Sequence, residues 1–251
     1  MQPNDYIFGL RAIIEAIQAG KEIDKVLIKK DLSGPLATEL MHLIHERRIV
    51  MQKVPVERLN KITRKNHQGA IAMMSAITYH SLGNLVPQLF EDGVLPFIVV
   101  LDGITDVRNF GAIARTCECA GVDAVVIPRQ GSVSVGGDAV KTSAGALLHL
   151  PVCRENSTLA AVRFLKDSGF NVVAVSEKAD INYTTADYTV PTALVLGAED
   201  TGISPEVIRQ CDTFVSIPMF GHIESLNVSV AGAVLMYEVV RQRLQANMEV
   251  I

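Results

Sequence analysis

Five apolar runs, separated by segments of helical character, constrain the fold of this 251-residue chain more than any other feature. They predict strands at residues 97–101, 124–127, 172–175, 193–196 and 213–217. Helices are predicted around them at 109–120, 138–148, 157–168, 205–210 and 226–244. Near-continuous apolar strands that alternate with helices are typical of a parallel sheet covered on both faces. Ligands of such sheets bind beyond the carboxyl ends of the strands.

Polar, glycine-containing stretches follow two of these strands, and we expect them to meet at one edge of the sheet. After the first strand, Asp102 leads towards Asn109, which can cap a helix that carries Arg115 six residues later. After the fourth strand, Gly197 is followed by an acidic segment that contains Glu199. Both stretches therefore bring charged and amide side chains to the edge where a ligand is expected.

A third stretch, after the last predicted strand, carries the most specific pattern. Pro218 ends the strand, residues 219–224 are predicted as a loop that turns at Gly221, and Ser225 occupies the expected N-cap of an apolar helix. That helix is apolar on nearly every side before Glu238, so most of it is expected to be buried. Polar groups at the start of a buried helix need partners, and free N–H groups there suit a ligand.

On these residues the sequence resembles the SpoU (TrmH-like) family of RNA ribose 2'-O-methyltransferases. Motif one of the family is matched by Asn109, Gly111 and Arg115. Motif two is matched by residues 196–199 (LGAE) with Gly202, and motif three by residues 217–219 (IPM) with residues 225–229 (SLNVS). The resemblance is strong over roughly residues 95–244. It implies methyl transfer from S-adenosylmethionine to a ribose hydroxyl, and a deep trefoil knot that pattern reasoning alone would exclude.

The resemblance also implies a site without a metal ion, built from all three motifs. Its catalytic residues would form a buried polar cluster of Asn109, Arg115, Glu199, Ser225 and Asn227. Its cofactor-binding residues would be Leu196, Gly197, Gly202, Ile217, Met219, Ser225, Leu226 and Asn227. Family members are homodimers, and the long C-terminal helix is the expected contact. For Arg115 two roles stay open, a base or a charged clamp, although a guanidinium stays protonated in proteins, which favours the clamp.

Charge divides the chain into two parts. Residues 1–78 hold 12 lysines and arginines against 8 acids, a net charge of +4, whereas residues 79–251 hold 11 against 19, a net charge of −8. The densest positive patch contains Arg58, Lys61, Arg64 and Lys65, and we expect it to contact RNA phosphates, with a solvated loop as the alternative. Aromatic residues make up 5% of the chain, so base stacking is not expected to be the main recognition device.

The basic part, residues 1–78, is predicted to be a small α/β domain. Its helices are expected at 8–19 and 35–47 and from Pro55 onward, and its strands at 25–29, 49–54 and 70–75. It resembles the ribosomal-protein-like substrate domain of several family members. Residues 79–94 are predicted as a linker with a helix at 82–90, and residues 95–251 as the catalytic domain. This arrangement most resembles the bacterial 23S ribosomal RNA guanosine 2'-O-methyltransferases, with transfer RNA enzymes of the family as the alternative.

Two other classes of protein fit the sequence less well. A dinucleotide-dependent oxidoreductase needs G-x-G-x-x-G after an early strand, and the glycine-rich segment 131–137 lacks that spacing. An RNA-binding module without chemistry leaves the polar residues of the three motifs unexplained. The four cysteines fit neither a common zinc spacing nor a disulfide framework. Without a signal peptide or an apolar run of about 18 residues, a cytoplasmic protein is expected.

Overall fold

A computed structural model describes residues 6–176 and 179–249 and divides into two compact units. The first unit contains residues 6–78 together with residues 134–138, and the second contains residues 79–133 and the remainder from residue 139. Segment 134–138 is tied to the first unit by a hydrogen bond from the backbone N–H of Ala76 to the carbonyl of Val135, at 2.8 Å.

The first unit is a four-stranded sheet with three helices, in the order β1-β4-β2-β3. In chain order its elements are β1 (Tyr6–Phe8), α1 (Leu10–Gln18), β2 (Ile23–Lys29), α2 (Pro35–Glu46), β3 (Val50–Val54), α3 (Val56–Ile62) and β4 (Ala70–Met74). Strand β4 pairs antiparallel with β1 and β2, and β2 pairs parallel with β3. Apolar residues of α1 and α2 pack on one face of this sheet, and Leu59 of α3 packs on the other.

The start of the first unit differs from the prediction, because Phe8 belongs to a strand and not to the first helix. The run Tyr6–Phe8 pairs with β4, and Gly9 turns the chain at a φ of 91°, in the region that favours glycine. The backbone N–H of Leu10, the first residue of α1, donates to Oε1 of Gln68 at 3.0 Å. Helix α1 therefore begins two residues later than its apolar spacing suggests.

The second unit is built on a seven-stranded sheet in the order β7-β6-β5-β10-β8-β11-β9. In chain order its elements are α4 (Leu82–Glu91), β5 (Phe97–Asp102), α5 (Val107–Cys119), β6 (Ala124–Pro128), α6 (Gly137–Thr142, which starts in segment 134–138), β7 (Val152–Glu155), α7 (Thr158–Asp167), β8 (Asn171–Val175), β9 (Ile181–Asn182), β10 (Thr192–Gly197), α8 (Pro205–Ile208), β11 (Thr213–Ser216) and α9 (Val228–Glu249). Every pairing in this sheet is parallel. The predicted parallel α/β fold is therefore confirmed.

Two predicted segments take a different form. The helix predicted at 82–90 is present as α4, but the expected linker, residues 79–94, is not a separate connection, because Leu82 and Val86 of α4 are buried in the core of the second unit. The predicted helix at 138–148 is broken, because Ala144 and Gly145 have φ values of 52° and 89° between α6 and a short 3-10 turn. Positive φ values cannot continue a right-handed helix.

Helix α9 begins at Val228, two residues after the predicted start, and its cap is Asn227 and not Ser225. The backbone N–H of Ser229 donates to Oδ1 of Asn227 at 3.0 Å, whereas Ser225 is exposed in the preceding loop. The expectation that most of this helix is buried is also wrong for the single chain. Val230 is 48% exposed and Tyr237 is 52% exposed. One apolar side of α9 thus faces away from the rest of its unit.

The far end of α9 is anchored by Arg243. Its guanidinium donates to the carbonyl oxygens of Leu95 at 2.7 Å, Pro96 at 2.9 Å and Val190 at 3.1 Å, and it lies over the ring of Phe97 at 5.4 Å from the centroid. These carbonyls belong to the segments that enter β5 and β10. One half-buried cation therefore fixes α9 to the starts of two central strands. No helix in the described part of the chain is both long enough and apolar enough to span a membrane.

Candidate active site

The three motifs meet at one edge of the second sheet. Because its strands are all parallel, the carboxyl ends of β5, β10 and β11 point the same way. Residues 103–109, 198–204 and 217–227 follow directly after these ends. The predicted location of the site, beyond the carboxyl ends of the strands, therefore agrees with the topology.

A cavity of about 480 Å³ opens at this edge. All eight residues predicted to bind the cofactor line it, namely Leu196, Gly197, Gly202, Ile217, Met219, Ser225, Leu226 and Asn227. It is further lined by Val175, Ser176, Ala198, Glu199, Asp200, Thr201, Ile203, Ile208, Glu224, Val228 and Ala231. Its volume falls in the range of small-molecule sites, which is roughly 300–1,000 Å³.

The lining of the cavity combines apolar walls with negative charge. Leu196, Ile217 and Leu226 supply aliphatic surface, and the carboxylates Glu199, Asp200 and Glu224 contribute the charge, with no lysine or arginine among the lining residues that the structure describes. An apolar wall binds a flat ring system, and carboxylates favour a positively charged group. The cavity suits a ligand that has both.

Glycines of two motifs allow close backbone contacts around the cavity. A Cβ atom on Gly197 would lie 2.3 Å from the carbonyl carbon of Gly202, so the loop after β10 can fold back only over a glycine. Gly202 itself has a φ of 67°, and its N–H donates to the carbonyl of Ala198 at 2.8 Å. In motif one, a Cβ on Gly111 would lie 2.9 Å from the carbonyl carbon of Thr142. Packing thus requires the glycines at 111 and 197, and the positive φ of Gly202 favours glycine there.

Asp102, to which the sequence analysis gave no role, fixes the loop of motif two. Its Oδ2 accepts hydrogen bonds from the backbone N–H and the hydroxyl of Ser204, both at 2.7 Å. The carboxyl end of β5 is therefore bonded to the start of α8. The sequence feature that could have indicated this role is a carboxylate at the end of a central strand.

Three of the predicted catalytic residues come together through hydrogen bonds. The side-chain amide of Asn227 donates to Oδ1 of Asn109 at 3.1 Å and to the carboxylate of Glu199. The backbone N–H of Val228 also approaches Glu199, at 3.4 Å from Oε1. Asn227 therefore connects the start of α9, the loop after β10 and the first turn of α5.

The structure does not bring Arg115 and Ser225 into this group. Arg115 lies about 120° around α5 from Asn109, given 3.6 residues per turn, and its exposed side chain makes no hydrogen bond to Asn109 or Glu199 in the described structure. Glu199, Ser225 and Asn227 are exposed as well. The expected buried cluster is thus an open one in the single chain, because the loop of motif three lies at the solvent edge of the sheet.

Helix α5 is capped by Asp106 and not by Asn109. Oδ1 of Asp106 accepts from the backbone N–H of Arg108 at 2.7 Å, and the two side chains pair at 3.0 Å. These hydrogen bonds from Arg108 lower the pKa of Asp106 to about 2. Asp106, followed by Glu199, raises the pKa of Arg108. Since Asp106 caps the helix, the side chain of Asn109 is left to accept from Asn227.

Comparison with known proteins identifies the family of the chain. Residues 96–237 match the SpoU rRNA methylase family, and residues 6–80 match the RNA 2'-O ribose methyltransferase substrate-binding family. A protein of Staphylococcus saprophyticus assigned to the TrmH family of tRNA/rRNA methyltransferases is 35% identical over 237 residues, which is 94% of this chain and 95% of the relative.

Solved structures of methyltransferases are also similar to this chain. The SpoU methyltransferase AviRb of Streptomyces viridochromogenes with AdoMet has a TM-score of 0.59 and 26% identity, covering 96% of this chain and 90% of its own. The AdoMet-bound rRNA methyltransferase of Sinorhizobium meliloti has a TM-score of 0.60 and 25% identity, covering 94% and 86%. The TrmH/SpoU tRNA-modifying enzyme of A. aeolicus has a TM-score of 0.55 and 31% identity, covering 66% and 86%.

The fold, the cavity and these similarities together define an RNA 2'-O ribose methyltransferase that uses S-adenosylmethionine. The chain belongs to the SpoU family. Its cavity fits the cofactor, because the aliphatic walls suit an adenine ring and the carboxylates suit the positive sulfonium and ammonium groups. The predicted cofactor and the predicted class of enzyme are confirmed.

Proposed function

We propose that this enzyme is a cytoplasmic homodimer that methylates the ribose 2'-hydroxyl of a guanosine in 23S ribosomal RNA. The observation that carries the proposal is the extent of the similarities. The ribosomal RNA enzyme of Sinorhizobium meliloti matches 94% of the chain and thus includes the first unit. The tRNA-modifying enzyme of A. aeolicus and a structure concerned with C/U34 of tRNA match only 66% and 59%. A transfer RNA substrate remains the second candidate.

The proposal divides the work between a substrate domain at residues 1–78 and a catalytic domain at 95–251. The basic patch of the first unit supports this division, since Arg58, Lys61, Arg64 and Lys65 are all exposed in and just after α3. Phosphate contacts of this kind supply affinity without reading the sequence. Replacing all four residues by glutamine should flatten the dependence of RNA affinity on salt, by about 0.7–0.9 in the log–log slope per lost contact.

In the catalytic domain we assign the eight predicted cavity residues to the cofactor, which supplies the methyl group when bound. Asn227 and Glu199 hold the cofactor loop of motif two against α9, and Asn109 completes their hydrogen-bond network. Ser225 lies on the cavity wall, where its hydroxyl is free to face the substrate. These groups fix the position of the reacting atoms.

Arg115 has a different task in this proposal, because it is exposed and lies outside the Asn227 network. A ribose hydroxyl becomes negatively charged as it loses its proton, and a charged guanidinium stabilises that charge while it binds a neighbouring phosphate. A neutral guanidine base would require a pKa far below the ordinary value. We therefore assign Arg115 to the RNA as a clamp.

The exposed apolar side of α9 supports the proposed homodimer. Val230, Tyr237 and Leu244 are 48%, 52% and 54% exposed, and Phe220 in the loop of motif three is 96% exposed. Exposed apolar surface of this extent marks an interaction site, and a second copy of the chain would cover it. Sedimentation of a fully active monomer at micromolar concentration would contradict this assignment. The trefoil knot implied by the resemblance is part of the same proposal.

The substrate is tested by mapping 2'-O-methyl groups in RNA from a strain that lacks the gene. The proposal expects one guanosine of 23S ribosomal RNA to lose its methyl group, and the purified enzyme to restore it on isolated ribosomal RNA. Loss of a tRNA methyl group with unchanged ribosomal RNA would favour the second candidate. The control is the variant Arg163→Gln, which changes an exposed residue of α7 and should restore the methyl group as the wild-type enzyme does.

A further inference from the structure

Among the residues that the structure describes, one face of the small sheet in the first unit is only partly covered. Helices α1 and α2 cover the opposite face completely enough to bury Ile13, Ile14 and Leu40. On the first face, α3 places Leu59 over β2, β3 and β4, and the side chains of β1 at the sheet edge stay partly exposed. This partly exposed edge carries two aromatic rings, Tyr6 and Phe8, which pack against the cluster around Leu59.

The pairing of the strands aligns these rings with two neighbours. Tyr6 lies opposite Met73, which lies opposite Lys25, so the three side chains form one row across β1, β4 and β2. Phe8 belongs to the next row on the same face, because side chains alternate along a strand. The rings of Tyr6 and Phe8 lie 6.2 Å apart at 41°. We call Tyr6, Phe8 and Met73 the aromatic strip.

Positive charge borders the aromatic strip. The Nζ atom of Lys65 lies 5.9 Å from the centre of the Phe8 ring, a distance at which a cation and a π face attract one another. Lys25 ends the row that starts at Tyr6, and Arg64 is exposed next to Lys65. The strip is thus a partly exposed apolar surface with Lys25 and Lys65 at its border, and both cations favour a polyanion.

We propose that the aromatic strip is a stacking platform for unpaired bases of the RNA substrate. This inference rests on the proposed function, the methylation of RNA. It adds that the first unit recognises unpaired bases of the RNA substrate. Bases in an A-form duplex are stacked on one another and present only their edges, whereas bases of a loop stack on aromatic side chains. Lys65 and Lys25 would then hold the phosphates on either side of the stacked bases.

Charge complementarity selects RNA over an apolar partner for this surface. An RNA strand brings one phosphate per base to Lys25 and Lys65, a much denser negative charge than the 27 carboxylates spread over a second copy of this 251-residue chain. The low aromatic content of the whole chain argued against stacking as a main device. The first unit nevertheless has both of its Phe and Tyr side chains on one partly exposed strand, so the overall aromatic content is a poor guide to this surface.

The test uses the full-length protein and two fluorescein-labelled probes, a 12-nucleotide single-stranded oligouridine and a 12-base-pair RNA duplex. Tyr6→Leu and Phe8→Leu should each weaken binding of the single strand about 5-fold or more. A loss of about 5-fold is the lower end of the usual cost of losing one base–aromatic stack. Binding of the duplex and the salt slope should not change. Tyr6→Phe should keep the affinity, and Lys65→Gln should reduce the salt slope by about 0.7.

Phe90→Leu is the matched control, because Phe90 is 41% exposed in the second unit and the substitution makes the same chemical change. It should leave both probes unaffected. A 5-iodouridine version of the single strand should crosslink to Tyr6 or Phe8 on irradiation. Equal losses for strand and duplex, wild-type affinity of both leucine variants, or crosslinks confined to other residues would each overturn the stacking platform. A wild-type protein that methylates no RNA would contradict the proposed function instead.

Discussion

The carboxylate of Asp102 at the end of β5 accepts two hydrogen bonds from Ser204, one from its backbone N–H and one from its hydroxyl, both at 2.7 Å. Between Gly197 and Ser204 the chain turns back on itself over the edge of the sheet, with Glu199 and Asp200 in the turn. The position of this turn, and with it one wall of the cavity, therefore depends on a side chain from another strand.

Asp102→Ala should lower the free energy of unfolding by about 2 kcal/mol, because a hydrogen bond to a charged group contributes roughly 1.5–3 kcal/mol. It should also weaken S-adenosylmethionine binding by loosening the turn. Urea unfolding and isothermal calorimetry measure the two effects. Asp167→Ala, at an exposed carboxylate near the end of α7, is the control and should change neither. Unchanged cofactor affinity in Asp102→Ala would show that cofactor binding does not depend on the position of this turn.

Asn227 has two tasks that different substitutions separate. Its Oδ1 caps α9, and its amide donates to Glu199 and Asn109. Asn227→Asp keeps the cap but places a second carboxylate against Glu199, so it should weaken the fold and the cofactor site more than Asn227→Ser.

Glu199→Gln in the Asn227→Asp background should recover much of the lost melting temperature, because it removes the repulsion between the two carboxylates. Thermal unfolding of the two single variants and the double variant measures this coupling. Additive losses would mean that Asn227 and Glu199 do not interact in solution.

Arg115→Ala and Arg115→Lys should both reduce methylation by about 10²- to 10³-fold, the usual cost of losing one group that stabilises developing charge. A planar fork binds a phosphate in two places, and an ammonium does not replace it. Both variants should bind S-adenosylmethionine normally, because Arg115 does not line the cavity. Single-turnover methylation and calorimetry check this. Near-normal turnover of Arg115→Lys would exclude the clamp, and lost cofactor binding in both variants would make the residue structural.

Glu238 should make stability depend on pH in the acid range. Its side chain is 6% exposed, and Arg241 lowers its pKa by hydrogen bonds at 2.6 Å and 2.8 Å. A carboxyl whose pKa is lowered in the folded state stabilises the fold above the unfolded value, about 4.3, and loses that contribution as pH falls through the folded value. Unfolding in urea should therefore show Glu238→Gln to be less stable than wild type at pH 6, with a smaller difference at pH 3.5. A difference that grows on acidification would contradict this.

The central strands could be predicted because their side chains are apolar on both faces. Such continuous apolar runs are typical of a sheet that lies between two layers of helices. Strands β7 and β9 escaped prediction for the opposite reason. In β7 the sequence Val-Cys-Arg-Glu is buried only in its first half, and β9 has two exposed residues. Such short edge strands owe their conformation to a neighbour and not to their own pattern.

The cavity residues could be predicted from the motifs, whereas the helix caps could not. Ser225 and Asn109 are good caps by composition, but Asn227 and Asp106 take these positions. Which of several polar residues caps a helix depends on where the preceding loop leaves the sheet. The role of Asp102 could not be predicted for the same reason, because its partner Ser204 is 102 residues away in the sequence.

Arg243 has a consequence for the kinetics of folding. The segment that enters β5 is bonded to a side chain 148 residues later in the chain, and the segment that enters β10 to the same side chain from 53 residues away. Closing such long loops before their contacts form is entropically costly, so non-local parallel sheets fold slowly. The second unit should therefore complete its core only when α9 docks, and a chaperone that protects exposed strand edges would act in that interval.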